Sequence, residues 1–502
     1  MKRHLQNNIF KLLISIFVIA ISACQISPRQ QANPVPISQI DIEKVYQQQC
    51  STCHGQQRAG ISAPALIPET IGKMKQTELV AIIQQGRPAT QMPAFQKVLN
   101  QQETEKLAAY LMTPTTGEIN WGHENINASK KVFAQELQQK PLFTSDPWNL
   151  FFVVSHGDHG LSILDGDKWE LLTTLSMRPG LHGGIKYTKD GRRAFAVTRD
   201  GWLTVVDVYG LAIIGEIRLG INTRNIAISE DGKILIAANV YPQNLVAINV
   251  QDLSIKEIIP LEASPSAIYT AFGRNEFAVG YKNKNEFLLF SDDLKKKYVI
   301  ALNSPFEDFM FDPSYRYAVG TYRKSTQAQV IDLNLKKIIK EFAIDGLPHL
   351  GSGIAFSEKN KKTFLVLPNM KEGLISFVDT LDWKITQQVK TSGAGFFLRT
   401  HENTDYIFAD SFMSPAKDEL HVISKKTQSL VTTLKPFPGK IFAHTEFSKD
   451  GKYALASIWD EDGALIVLDS KSLKEVKRIP MRKPSGKYNI YNKTHLSQGT
   501  SH

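Results

Sequence analysis

Cys50, Cys53 and His54 stand together in "CSTCH", two thiols separated by two residues and followed at once by an imidazole. Thiols at that spacing add to the vinyl groups of a haem while the adjoining histidine ligates the iron, so the motif predicts covalent haem c. A zinc site needs a second ligand pair, and none is near; a thioredoxin-like dithiol needs a different fold and leaves His54 unexplained. Met92, a loop methionine before proline in "ATQMPAF", is assigned as the sixth iron ligand, whereas Met74 and Met112 read as core residues of helices. Further along, polar residues recur in one phase of a repeat. His182 lies eight residues before Asp190, Arg224 seven before Asp231, His349 nine before Glu358 and His444 six before Asp450.

The elements that position these residues fall into two classes. Around "CSTCH" the chain has helical spacing, as in "QTELVAIIQQG" and "NQQETEKLAAYLM" before Pro114. This predicts a small all-α cytochrome c domain over residues 41–115, with a linker over 116–147. From residue 148 to 502 a different unit recurs: an apolar strand, a turn of the "KDG" type, a second strand, a third ending near Asp, a polar turn and a fourth strand. Copies such as "YTKDGRRAFAVTRDGWLTVVDVYGLAIIGEI" and "FSKDGKYALASIWDEDGALIVLDSKSLKEVKRI" are clear, weaker ones begin near Trp148, Ala267, Ile354 and Phe397, and the total is eight. Each has the length of one propeller blade, which predicts an all-β eight-bladed β-propeller; the alternative, a solenoid, lacks support because the strands are joined by short polar turns.

In a propeller the strand before the "KDG" turn is innermost, so its first residues face the central channel. One histidine there is most simply a hydrogen-bonded structural residue. Three of the chain's 12 histidines in one phase, joined by Arg224, predict a site on the axis. Gly183, Gly184, Gly351 and Gly353 would leave room for a broad flat ligand, or mark bulges at crowded strand starts. Arg199 in "TRDG" and Arg224 suit carboxylates, which a guanidinium fork matches in bidentate fashion. A haem c domain beside an axial pocket with iron-ligand candidates points to a second redox centre.

The chain is 502 residues long, 42% apolar and 22% charged, with a formal charge of +10 spread over polar turns; nothing in that pattern suggests nucleic acid. Lys2 and Arg3 precede an apolar run from Ile9 to Ala23 that is short for a membrane span and ends in "ISAC". This resembles a bacterial lipoprotein signal over 1–24, with Cys24 as the lipidated residue; an ordinary signal peptide is the alternative. Gln25 rather than aspartate after Cys24 favours the outer membrane. Residues 25–40, rich in proline and glutamine, read as a tether. With Cys24 acylated and Cys50 and Cys53 committed to haem, the three cysteines form no disulfide framework.

"RPATQMPAF", "LHGGIKYTKDG", "GINTRNIAIS", "GLPHLGSG", "GFFLRTHEN" and "KPSGKYNIYNKTHLSQGTSH", set on a haem c domain and an eight-bladed propeller, resemble the dihydro-haem d1 dehydrogenases of the cytochrome cd1 nitrite reductase superfamily. The resemblance implies that His182 is the proximal ligand of a d1-type iron and that Arg199 and Arg224 lie near the macrocycle carboxylates. It also implies that His349, His444 and Tyr488 line the opposite face or the reacting side chain. The family reaction oxidises a propionate of dihydro-haem d1 to the acrylate of haem d1. A neutral imidazole suits the base, His444 being the first expectation and His349 the second, with Tyr488 as hydrogen-bond donor or proton relay. Electrons would pass by haem c to an external acceptor, and nitrite reductase is the expected recipient of the product. Nitrite reduction itself is the rival activity. It uses two histidines over the d1 iron, and the segment Ser304 to Tyr317, where the second would fall beside His349, offers Glu307 and Asp308 instead. A non-catalytic carrier of the pigment is the other alternative.

Overall fold

In a computed structural model the described residues are 41–60, 63–71, 74–86, 92–115, 117, 119–134, 136–178, 180–181, 184–358 and 362–496. Cys24, the apolar run, the tether and His182 lie outside them. No helix among the described residues is long and apolar enough to cross a membrane.

Five helices come first: Ile42–Gln49, Ser51–His54, Pro68–Ile71, Gln76–Gln85 and Gln101–Leu111. Leu79 and Ile83 share one helix face and Leu107 and Leu111 another, so both helices bury an apolar stripe against Tyr46, Ile71 and Leu99. Asn100 fixes the start of the last helix: its side chain accepts from Glu103 N at 2.9 Å, and Glu103 Oε2 accepts from Asn100 N at 2.9 Å. Met74 and Met112 pack against this core.

Then eight antiparallel sheets follow, seven of four strands and one of five. Each runs from a buried inner strand, such as Phe442–Phe447, to a largely exposed outer one, such as Glu475–Pro480. The "KDG" turns work as expected: Gly191, Gly232 and Gly451 take φ of 68°, 72° and 71°, where a Cβ is disfavoured. The segment between the helices and the blades carries elements of its own among the described residues. Helix His123–Ser129 buries Ile126 against the second blade, and strand Lys131–Val132 pairs with the outer strand Ala212–Arg218, covering its open edge.

Ring closure joins the two ends of the repeat region. The inner strand of the first blade is Pro484–Asn489, from the C-terminal end, antiparallel to Leu150–Ser155 with Tyr488 opposite Phe152. A closed ring leaves no inner edge, and it carries Tyr488 to the axis.

Candidate functional site

The haem c donor set is built for iron. Burial lowers the His54 pKa, keeping the ring neutral, and its Nδ1 lies 2.7 Å from Pro64 O, which can only accept. The proton therefore sits on Nδ1 and the Nε2 lone pair is left for a metal. Cys50 is half-buried and Cys53 exposed, and neither is in a disulfide. Met92 lies on a segment that returns to the end of helix Gln76–Gln85. A Cβ on Gly86, whose φ is 71°, would sit 2.7 Å from Met92 O, so glycine permits that approach.

The loop after His54 is bound to the propeller by Arg218, which is 3% exposed. Its Nη1 donates to Gly60 O at 3.1 Å, Nη2 to Ala59 O at 2.8 Å and Nε to Asp200 O at 2.9 Å. Asp200 is three residues from Val197, which lines a cavity on the propeller axis.

That cavity encloses about 940 Å³ counting its open mouth, and its walls are mostly apolar, including Leu181, Val197, Phe396, Phe397, Phe412 and Trp459. The polar groups are His444, Ser485 and Tyr488, from the closing strand and its neighbour, and His156, from the turn after strand Leu150–Ser155, whose ring stacks on Trp459. A Cβ at Gly486 would lie 2.5 Å from Tyr488 Oη, so glycine lets the phenol fold back along its own strand. Burial and the nearby Glu446 keep that phenol protonated, a donor.

His444 is held in an uncommon way. Its φ is 52°, in the left-handed region that costs an L-residue about 1 kcal/mol, and the strand bulges between Ala443 and Glu446. Its amide donates to Asp410 Oδ2 at 3.2 Å, and Lys487 N donates to its Nδ1 at 3.3 Å. A backbone N–H can only donate, so neutral His444 presents a lone pair at Nδ1 and carries its proton on Nε2. Burial first, then the charges of Lys487 and Arg399, push its pKa well below 6.5. The same Asp410 accepts from Phe396 N at 2.8 Å and Phe397 N at 3.2 Å through Oδ1. Burial lifts this carboxyl to about 7 against those donors. Beneath lies a buried charged layer in which Arg399 grips Glu446 at 3.2 and 2.7 Å and Asn492 donates to Glu446 at 3.1 Å.

His349 stands before the turn Leu350–Ser352, with its ring 3.8 Å from that of Phe396, centroid to centroid. The Phe397 ring lies 4.6 Å from His444, and His444 lies 5.6 Å from Tyr488. Ser352 Oγ donates its only proton to Phe396 O, so His349 Nδ1, against the same hydroxyl, is the donor of that pair. The lone pair then falls on Nε2, 3.9 Å from Asp308 Oδ2. Burial lowers the His349 pKa, Asp308 raises it and Arg224 lowers it. Arg224 Nε donates to Ser266 O at 2.5 Å. Burial, then the charge of Arg224, pulls the Arg199 pKa down to about 9, as when two cations converge on space suited to an anion.

Of the expected residues, His444 and Tyr488 line the cavity; His349 packs on the lining residue Phe396, and none of His349, Arg199 and Arg224 is itself part of the lining, although the charge of Arg224 is felt by both others. His182 is not among the described residues, but its neighbours Leu181 and Gly184 line the cavity. Sequence reasoning missed Asp410, Glu446, Arg399, Lys487 and the Phe396–Phe397 wall. "GFFLRTHEN" and "GKYN" stood out as motifs, and charges inside otherwise apolar inner strands were the signal available.

Residues 145–493 match the family model "Cytochrome D1 heme domain". The chain belongs to the cytochrome d1 haem-domain family. Residues 39–111 match a cytochrome c model described as "Cytochrome C oxidase, cbb3-type, subunit III". Within the family, the chain is 41% identical to the dihydro-heme d1 dehydrogenase of Pseudomonas aeruginosa over 92% of this chain and 95% of the relative. It is 21% identical to the nitrite reductase of Stutzerimonas stutzeri, over 97% of this chain and 99% of that one. A solved structure of dihydro-heme d1 dehydrogenase NirN in complex with DHE superposes with a TM-score of 0.86 at 40% identity, covering 90% of this chain and 99% of that chain.

Proposed function

We propose that the protein is an oxidoreductase that dehydrogenates dihydro-haem d1, converting one propionate to an acrylate in the formation of haem d1. The observation that carries this reading is a largely apolar cavity lined by the imidazoles of His156 and His444 and the phenol of Tyr488, in a chain that also carries a haem c domain. Cys50, Cys53 and His54 would hold haem c, with Met92 as sixth ligand; when bound, the haem supplies a one-electron acceptor. His182 would ligate the iron of the substrate, and Arg199 and Arg224 would bind its carboxylates.

The reaction removes two protons and two electrons from adjacent side-chain carbons; one proton would go to a basic side chain and the other to solvent, and the electrons would leave one at a time through haem c to an external one-electron acceptor. Hydrogen bonding supports an order of roles opposite to the expected one. His349 offers its Nε2 lone pair beside Asp308, whose carboxylate would stabilise the imidazolium formed on proton uptake. His444, whose basicity is strongly depressed, carries its proton on Nε2 and would donate a hydrogen bond, as would Tyr488. Asp308 beside His349, where nitrite chemistry would want a second histidine, also weighs against nitrite reduction. We place the protein in the periplasm, anchored through a lipid on Cys24 to the outer membrane, and able to pass haem d1 to a nitrite reductase.

The test is to load the holoprotein with dihydro-haem d1 and follow pigment mass and spectrum. Loss of two mass units is expected; pigment that binds and stays unchanged favours a carrier, and nitric oxide formed from nitrite at a competent rate favours the reductase. His349→Ala should bind pigment and fail to convert it, whereas His444→Gln should retain slow conversion. The reverse pattern would restore His444 as the base.

A further inference from the structure

Asp410 sits at the end of strand Tyr406–Asp410, is 4% exposed and does not line the cavity. Its one carboxylate nevertheless ties together both walls that carry the histidines. Oδ1 accepts from Phe396 N and Phe397 N, whose rings lie against His349 and His444 respectively, and Oδ2 accepts from the His444 amide. Close approach is built in: a Cβ on Gly395 would lie 2.0 Å from Asp410 O and 3.2 Å from Oδ1. The left-handed backbone at His444 breaks the strand ladder, so its N–H needs an acceptor from elsewhere, and Asp410 provides it.

We infer that Asp410 is a positioning residue for the dehydrogenation: its carboxylate holds His444 in the left-handed conformation and fixes that imidazole relative to the Phe396–Phe397 wall and His349. The inference rests on the proposed dehydrogenase reading for its consequence in catalysis but not for the clamp itself. A backbone conformation that is unfavourable for histidine persists only where surrounding contacts over-determine it. Two of the three contacts act on the wall and one on the histidine, so they can be separated.

Asp410→Asn keeps an oxygen for Phe396 N and Phe397 N but turns an amide N–H₂ toward the His444 N–H, donor against donor. The expected result is kcat lower by roughly tenfold to a hundredfold, the cost of leaving a buried N–H against another donor, with KM changed by less than about threefold. Hydrogen exchange should quicken at the His444 amide while Phe396 and Phe397 keep their protection. Unchanged kcat, or a loss carried wholly by KM, overturns the inference. If the variant does not fold, exchange on the wild-type protein decides the clamp: a His444 amide as unprotected as those of exposed turns refutes it, and protection like that of the inner strands supports it. Wild-type conversion is measured in parallel. If wild type binds dihydro-haem d1 without converting it, the dehydrogenase reading fails while the exchange data still judge Asp410.

Discussion

Replacing Arg218 with methionine keeps an apolar stem beside Trp121, whose ring lies 4.7 Å from the guanidinium carbon, and deletes donors to Gly60 O, Ala59 O and Asp200 O. Two of those bonds cross from the propeller to the loop following the haem-binding motif. Hydrogen bonds from a charged donor contribute about 1.5–3 kcal/mol each, and relief of the buried guanidinium's desolvation offsets part of their loss, leaving a net cost of about 2–4 kcal/mol. Apolar contacts among Ile67, Ile119 and Ile221, and the bond from Asn222 to Glu69 O at 3.2 Å, remain. The helical domain should therefore stay folded but less firmly seated. Guanidinium titration followed at the haem Soret band and at tryptophan fluorescence should show the haem transition moving to lower denaturant by that amount, ahead of the propeller. Electron transfer from reduced haem c to bound pigment, timed after pulse reduction, should slow or become heterogeneous. Arg218→Lys should recover less than half of the loss, because one ammonium on a flexible stem cannot bridge three carbonyls as a planar fork does. Coincident transitions unchanged within about 0.5 kcal/mol would show that Arg218 does not hold the two domains together.

Further outcomes test the layer under the cavity and its polar wall. Lys487 is wholly buried, with Nζ donating to Ser457 Oγ at 2.7 Å and Ser485 O at 3.1 Å, and burial lowers its pKa from 10.5 to about 7. Between those values the unfolded chain holds a proton that the folded chain has released, so this group makes stability rise with pH across that window by about 1.4 kcal/mol per unit. In paired denaturant titrations the stability of wild type relative to Lys487→Met should improve by about 3 kcal/mol from pH 7 to pH 9.5; a constant difference would mean that the lysine does not titrate there. Tyr488→Phe removes only a hydroxyl from the cavity wall, so pigment affinity should change by less than about threefold while kcat falls by roughly tenfold, the cost of one hydrogen-bond donor. Equal conversion rates in single-turnover experiments would remove the phenol from the reaction.

The motif at Cys50–His54, the helical spacing of Gln101–Leu111 and the eight "KDG"-type repeats were legible because each is a local device. Thiol spacing, an apolar stripe along one helix and a left-handed glycine in a turn need only residues near in sequence. Repeat phase also led to His444 in the cavity wall, since every blade enters the ring with the same inner strand. What one sequence does not display is which groups meet there. Asp410 reaches His444 across 34 positions, Arg399 reaches Glu446 across 47, and Tyr187 Oη donates to Tyr488 O across 301. Tyr488 faces the cavity because the C-terminal strand closes the first blade, an event with no local signal. The placement of the proton on the two imidazoles was likewise decided by tertiary structure. The sequence determined the repeat phase of the imidazoles; a serine hydroxyl on one ring and a backbone amide on the other set which nitrogen of each carries the proton, and those partners meet only when the ring of blades has closed.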